Sequence, residues 1–271
     1  MNTFRVGLKT ALCAALAIST LVPVDGTAGS AVSGFNGKVE VLGGGVDQEG
    51  TALVGGAVAM PLNQKFGVQL DVVAGEVSAN SLLGGGAHLF WRDSDKGLFG
   101  VTAMTASIDS YTRTDFQRFG VEGEYYLPNL TLAATLGTQG GDVDDASYTG
   151  LDLRWYAMDD WMLELGGRAA DSQTTAHLGM EYRMPLQAMP GLTLFADAAT
   201  GNNSYQHALF GLRAYFGGGD KPLIQRHRQD DPINMVFDGV SSSFNGIKNN
   251  FGCPSGYTNN SGNCTKVNDK F

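Results

Sequence analysis

From Gly34 to Gly217 the chain is a succession of about twelve runs, each roughly ten residues long, in which every second side chain is apolar. A period of two places the apolar side chains on one face of an extended strand, and no stretch of comparable length shows a helical period. Eight large aromatics, Phe66, Trp91, Phe99, Tyr125, Trp155, Trp161, Tyr182 and Phe216, share the parity of the apolar face and sit at the same end of their runs, beside short turns. A soluble sandwich would share the alternation but has no need of aromatics along one rim. A ring of outward aromatics is what a barrel needs where hydrocarbon gives way to headgroups. The pattern therefore predicts an all-β fold, an antiparallel transmembrane β-barrel of about 12 strands in contact with outer-membrane lipids.

The first residues set the compartment. Arg5 and Lys9 precede an apolar stretch from Ala11 to Val24, followed by small residues from Gly26 to Ala31. This is the layout of a secretory signal over residues 1–28, with cleavage after Ala28. The stretch is too short for a spanning helix, which needs about 20 apolar residues, and nothing later reaches that length. Cys13 leaves with the signal. Cys253 and Cys264 remain, an even number in a chain bound for an oxidising compartment, so a disulfide closing a short loop is expected; two free thiols or a metal pair are the alternatives.

Taking the apolar parity as lipid-facing, the inward face carries Lys38, Arg118, Arg154, Arg168, Arg183 and Arg213 against Glu40, Asp71, Glu122, Glu124, Asp152, Glu164, Glu181 and Asp197. Charges in a narrow lumen must be paired or hydrated. The choice is between an ion-pair network that braces the lumen and a water-filled pore lined by both signs. The mixture disfavours strong ion selectivity, which calls for one dominant sign at a constriction. Twelve strands enclose less space than the sixteen- to eighteen-stranded porins, although inward Gly84, Gly86, Gly120 and Gly150 restore some room. The reading is a small porin-like passive channel for small solutes. Its alternative is a plugged structural barrel or cell-envelope interaction protein without transport.

An outer-membrane lipid hydrolase is the competing enzyme class, acting through a serine and a histidine on the lipid-facing wall. By parity His88, His177 and His207 point inward and no outward Ser/His pair is visible on adjacent strands, so no catalytic residue is assigned. No cofactor or metal site is assigned either, since the histidines are scattered and Asp142, Asp144 and Asp145 lack a calcium-loop spacing. Charged residues are only 17% of the chain. A sequence pI of about 4.8 argues against a nucleic-acid partner, which would want a basic face.

At Gly211, Leu212, Arg213, Ala214, Tyr215 and Phe216 the chain resembles the closing strand of bacterial outer-membrane barrel proteins, whose assembly signal is a Gly with an apolar residue three later and an aromatic five later. Leu209 stands where a polar residue is usual, and the motif is followed by more than fifty residues instead of the chain end. The resemblance, covering roughly Gly34 to Gly217, implies a porin-like barrel inserted by the outer-membrane assembly machinery.

The chain thus divides into a signal at 1–28, a barrel at 33–217 and a tail at 218–271. With an even strand number both barrel ends lie in the periplasm, so the aromatic-rimmed turns should be periplasmic and the Gly-, Asp- and Ser-rich loops at Gly43–Gly50, Ser107–Asp115 and Gly140–Ser147 should face outward. In the tail, Gly217 to Gly219 read as a flexible exit. Lys221, Arg226, His227 and Arg228 form a basic cluster suited to headgroup or cell-wall contact. The apolar anchors Met235, Val236, Phe237, Phe244, Ile247 and Phe251 are too few for an independent core. The tail is expected to be a periplasmic appendage, partly disordered outside the Cys253–Cys264 loop and dispensable for barrel folding.

Overall fold

The computed structural model describes residues 30–267 apart from 231, 261 and 262; the signal expected at 1–28 lies outside the described residues. Twelve strands follow in order: β1 (Asn36–Val46), β2 (Glu49–Pro61), β3 (Phe66–Val77), β4 (Asn80–Asp93), β5 (Gly97–Asp109), β6 (Arg113–Leu127), β7 (Leu130–Gly141), β8 (Ala146–Met158), β9 (Trp161–Ala170), β10 (Gln173–Arg183), β11 (Leu192–Gly201) and β12 (Gln206–Gly217). Each pairs antiparallel with its sequence neighbours. β12 pairs with β1 from Asn36↔Gly217 to Val46↔His207, which closes the barrel and leaves no sheet edge.

The alternation sorts side chains between two solvents. Leu70, Leu83, Phe119, Leu151, Leu178 and Phe210 stand exposed on the outer wall, whereas Lys38, Asp71, Arg118, Arg154 and Glu181, of the opposite parity, are buried inside. An apolar exterior around a polar interior is the inverse of a soluble fold and marks an outer-membrane-type barrel. At one rim Phe66, Trp91 and Phe99 lie directly across from one another on β3, β4 and β5, and Trp161 faces Tyr182. Phe216 is half-buried over Gly37, its cross-strand partner. This rim, with both barrel ends, is called the turn end below.

The opposite, loop end is tighter than the composition suggests. β1 and β2 extend through the glycines to a connection at Asp47 and Gln48, both with positive φ (50° and 70°), and β3 turns into β4 at Ser78 and Ala79 (49° and 60°). These are the paired left-handed positions of twist-matched hairpins. Gly44 continues β1 rather than looping out, at a φ of +152° that sets its missing Cβ against the Ala208 carbonyl. The loops expected at 43–50, 107–115 and 140–147 therefore shrink to a few residues each.

The largest departure from expectation is the tail. Gly217, Gly218 and Gly219 all take positive φ (70°, 65° and 77°), a left-handed reversal open to glycine. They form not a flexible exit but a U-turn that sends the chain back into the barrel. Three short helices follow, α1 (Leu223–Gln229), α2 (Met235–Ser242) and α3 (Phe244–Asn249), then a two-stranded hairpin, β13 (Tyr257–Asn260) and β14 (Asn263–Lys266), with β14 tied by the Cys253–Cys264 disulfide to the segment that leads into β13. No described helix is long and apolar enough to cross a membrane by itself. The anchors too sparse for a core of their own share the barrel's core instead.

Candidate functional site

The strands enclose a lumen, and the tail runs through it from one end to the other. At the turn end, α1 begins without a side-chain cap of its own, and the Leu223 amide donates instead to Asp160 Oδ1 in the β8–β9 turn at 3.0 Å. Burial pushes the Asp160 carboxyl up, but hydrogen bonds from Arg183 and the Leu223 amide outweigh it, and its pKa sits below the ordinary value. Arg228 Nη2 donates to the carbonyls of Leu127 (2.7 Å) and Leu130 (3.0 Å), its guanidinium lying over Tyr126 and Tyr156. Arg226 and Lys221 pair with Asp230. The basic cluster is thus spent on the barrel and on its own chain, not offered to headgroups. The segment before β1 joins the seal: the Ser33 amide bonds the Gln229 carbonyl at 2.9 Å, and Val32 is buried among Ala59, Phe90, Leu98 and Tyr126.

Halfway up, extended residues 232–234 cross between wall charges. The Pro232 carbonyl accepts from Lys38 Nζ (2.8 Å) and Gln69 Nε2 (3.1 Å). Asp71 Oδ2 accepts from the Met235 amide (3.1 Å) and contacts His88 Nε2 (2.9 Å), whose other nitrogen meets Glu122 (2.9 Å). Asn234 caps α2 through its side chain to the Val236 amide at 3.0 Å.

The other sequence-predicted lumen charges gather into three clusters. Arg154 bridges Glu164 (2.8 Å) and Glu124 (2.6 Å), while Arg168 holds Asp152 with two nitrogens (2.5 and 2.9 Å) and Asp238 of α2 with a third (2.8 Å). His177 lies beside Glu164 (2.9 Å) and Asp152 (3.3 Å). Asp152, Glu164 and His177 are close enough to share a metal ion, but two guanidiniums already neutralise those carboxylates. In the next cluster Arg213 joins Glu40 (2.8 Å) to Glu181, and Glu181 also accepts from Thr193 (2.8 Å) and Tyr215 (3.0 Å). In the third, His207 sits between Asp197 (2.5 Å) and Tyr205 (2.9 Å). Arg118 reaches Ser243 of the tail at 2.7 Å. Arg183 is set apart, at the turn-end rim with Asp160 and Asp220.

Nearer the loop end the wall becomes apolar. Leu53, Val73, Val77, Leu82, Met104, Ile108 and Phe116 point inward and are buried against Val236, Val240, Phe244, Ile247 and Phe251 of the tail. Val236, Val240, Phe244 and Ile247 are 0% exposed. Each contributes about 1.5–3 kcal/mol of burial, a pull that hydrated wall charges alone would not supply. Inward Gly84 and Gly86, expected to widen a pore, are notches that receive Val236 and Met235. At the top Lys248 pairs with Asp47, Asn245 bonds Gln173 (2.8 Å), and the Asn250 carbonyl accepts from Thr114 (3.4 Å). Beside α2 a cavity of about 220 Å³ remains, lined on the wall side by Arg154, His177, Glu181 and Phe195 among others.

Neither a family model nor a curated protein matches this chain. Among solved structures it resembles KdgM porin, at 9% identity and a TM-score of 0.53, and KdgM porin in complex with disordered oligogalacturonate, at the same values; each match covers 66% of this chain and 99% of the porin. A third, from work on in-meso crystallisation of membrane proteins, has 12% identity and a TM-score of 0.52, covering 72% of this chain and 91% of the other. At such identities the likeness is one of fold, and the fold is that of a porin-type, membrane-spanning barrel.

Proposed function

We propose that the protein is a bacterial outer-membrane barrel held closed by its own C-terminal segment, a structural or interaction protein of the cell envelope rather than an open passive channel. The observation that carries this reading is the apolar core shared by the loop-end wall and the tail. A pore that conducts at rest has no use for Leu53, Val73, Leu82 and Phe116 facing inward, and those side chains are matched by Val236, Val240, Phe244 and Ile247. The fold likeness to porins supports a barrel of channel type, and the ion pairs of the mid-lumen support a braced wall. The histidines give a lipid hydrolase no support, since His88, His177 and His207 are buried inside the barrel, away from the lipid-facing wall, with carboxylates and Tyr205 as their hydrogen-bond partners.

Planar-bilayer recording tests the proposal. The purified full chain should be silent. A chain ending at Gly219 and a full chain carrying Val240→Asp with Phe244→Asp should both give steps. Reproducible open steps from the unaltered chain would restore the passive-channel reading.

A further inference from the structure

We infer that the barrel carries its own C-terminal segment across the membrane and presents the disulfide-closed hairpin at the outer face of the cell. The inference rests on the closed-barrel reading and adds a direction and a destination to it.

The direction follows from contacts at successive heights. The tail leaves β12 at Gly217, on the rim where Asn36 begins β1. Its residue 223 touches Asp160 at that rim, residue 232 meets Lys38 and Gln69 inside, residue 238 meets Arg168, and residue 248 meets Asp47 in the β1–β2 turn at the other rim. Within the lumen the path never doubles back. Beyond it, Asn259 donates to the carbonyls of Lys248 (3.1 Å), Asn249 (2.9 Å) and Phe251 (2.7 Å), so the hairpin sits as a cap on α3 at the loop end.

The hairpin is also a stopper. Two strands about 4.8 Å apart with their side chains span roughly 10 Å, and the Cys253–Cys264 bridge keeps the loop from opening into a single file. The loop could retreat only if Val236, Val240, Phe244 and Ile247 first left the wall against which they are buried. With the glycine reversal fixing one end and the hairpin the other, the segment is held at both mouths. Tyr257, Lys266 and Val267 stand exposed there. Connections at the two rims are similarly short, so the barrel ends set the direction: β1 begins and β12 ends at the turn end, and with an even strand number both lie in the periplasm, so this mouth opens to the exterior.

Lysines at the two rims make the test direct in the unaltered chain. Lys65 and Lys96 are exposed at the turn end and Lys266 at the hairpin. Intact cells are treated with a membrane-impermeant amine reagent and the purified protein is mapped by mass spectrometry, with and without prior permeabilisation of the outer membrane. Lys266 should be labelled on intact cells, with Lys65 and Lys96 labelled only after permeabilisation. Lys266 unlabelled on intact cells would overturn the inference, whether Lys65 and Lys96 remain protected with it or are labelled in its place. A barrel silent in bilayers with Lys266 hidden would sink this inference alone, whereas a conducting barrel would sink the closed-barrel reading.

Discussion

Val236 of α2 occupies the notch left by Gly84 on β4: a Cβ at residue 84 would lie 2.5 Å from Val236 Cγ1 and 3.1 Å from the Ala106 Cβ. The wall residue carries no side chain because the tail residue needs its volume, so the two positions are coupled. Gly84→Val should push α2 off the wall at a cost of about 1–3 kcal/mol, read as a lower thermal midpoint in detergent. Gly84→Val with Val236→Gly should recover part of that loss, and no recovery would show that the two residues do not share the space.

Phe244 tests the apolar seal. It is fully buried and packs against Tyr205 and Phe251 with ring centroids 6.1 and 6.3 Å away. Phe244→Ala should destabilise the docked tail by about 3–5 kcal/mol and speed proteolysis within residues 235–251. Leu151→Ala, on the lipid face, should leave that rate unchanged.

Arg168 and Asp238 form an unequal pair. Removing the arginine takes from Asp238 its guanidinium and leaves Asp152 with only His177 (3.3 Å) and Arg154 (4.0 Å), whereas removing the Asp238 charge leaves Arg168 still bound twice to Asp152. Arg168→Met should therefore cost about 3–5 kcal/mol and Asp238→Asn clearly less. Equal losses in denaturant melts would contradict the arrangement.

Asp160 gives the turn end an acid sensitivity. Its pKa lies below the ordinary carboxylate value, so its contribution to holding α1 is present above the unfolded value of about 3.9 and is lost as pH falls through the folded one. Protection of the Leu223 amide, taken relative to its intrinsic exchange rate, should fall below about pH 4. Asp160→Asn should remove that pH dependence, and protection that stays pH-dependent in the variant would assign it elsewhere.

The outer wall was the legible part of the sequence, because lipid demands the same thing of every strand: alternate apolar residues with aromatics at the rim. The inner wall was legible only in its charges. Adjacent apolar pairs, Leu53 with Val54, Val72 with Val73 and Leu82 with Leu83, break the alternation on β2, β3 and β4. Such pairs are the mark of a strand buried on both faces, and they were the available sign that something apolar lies inside. The tail's own anchors looked insufficient because half of their core belongs to the wall. Gly217–Gly219 looked like slack because composition does not reveal the sign of φ. The pairing of individual charges depends on which strands meet at which register, and the alternation pattern does not carry that.

The cross-linked hairpin at the far mouth also imposes a chronology. Where the bridge closes in the oxidising periplasm before the chain reaches the membrane, a closed loop of that width has no passage through a finished wall. On that order of events the seam between β1 and β12 is the last joint made, with the sheet wrapping a segment already in place, as a sleeve is rolled around a rod. The tail is then part of the mould on which the barrel sets, and a chain ending at Gly219 should reach the same closed barrel more slowly than the full chain.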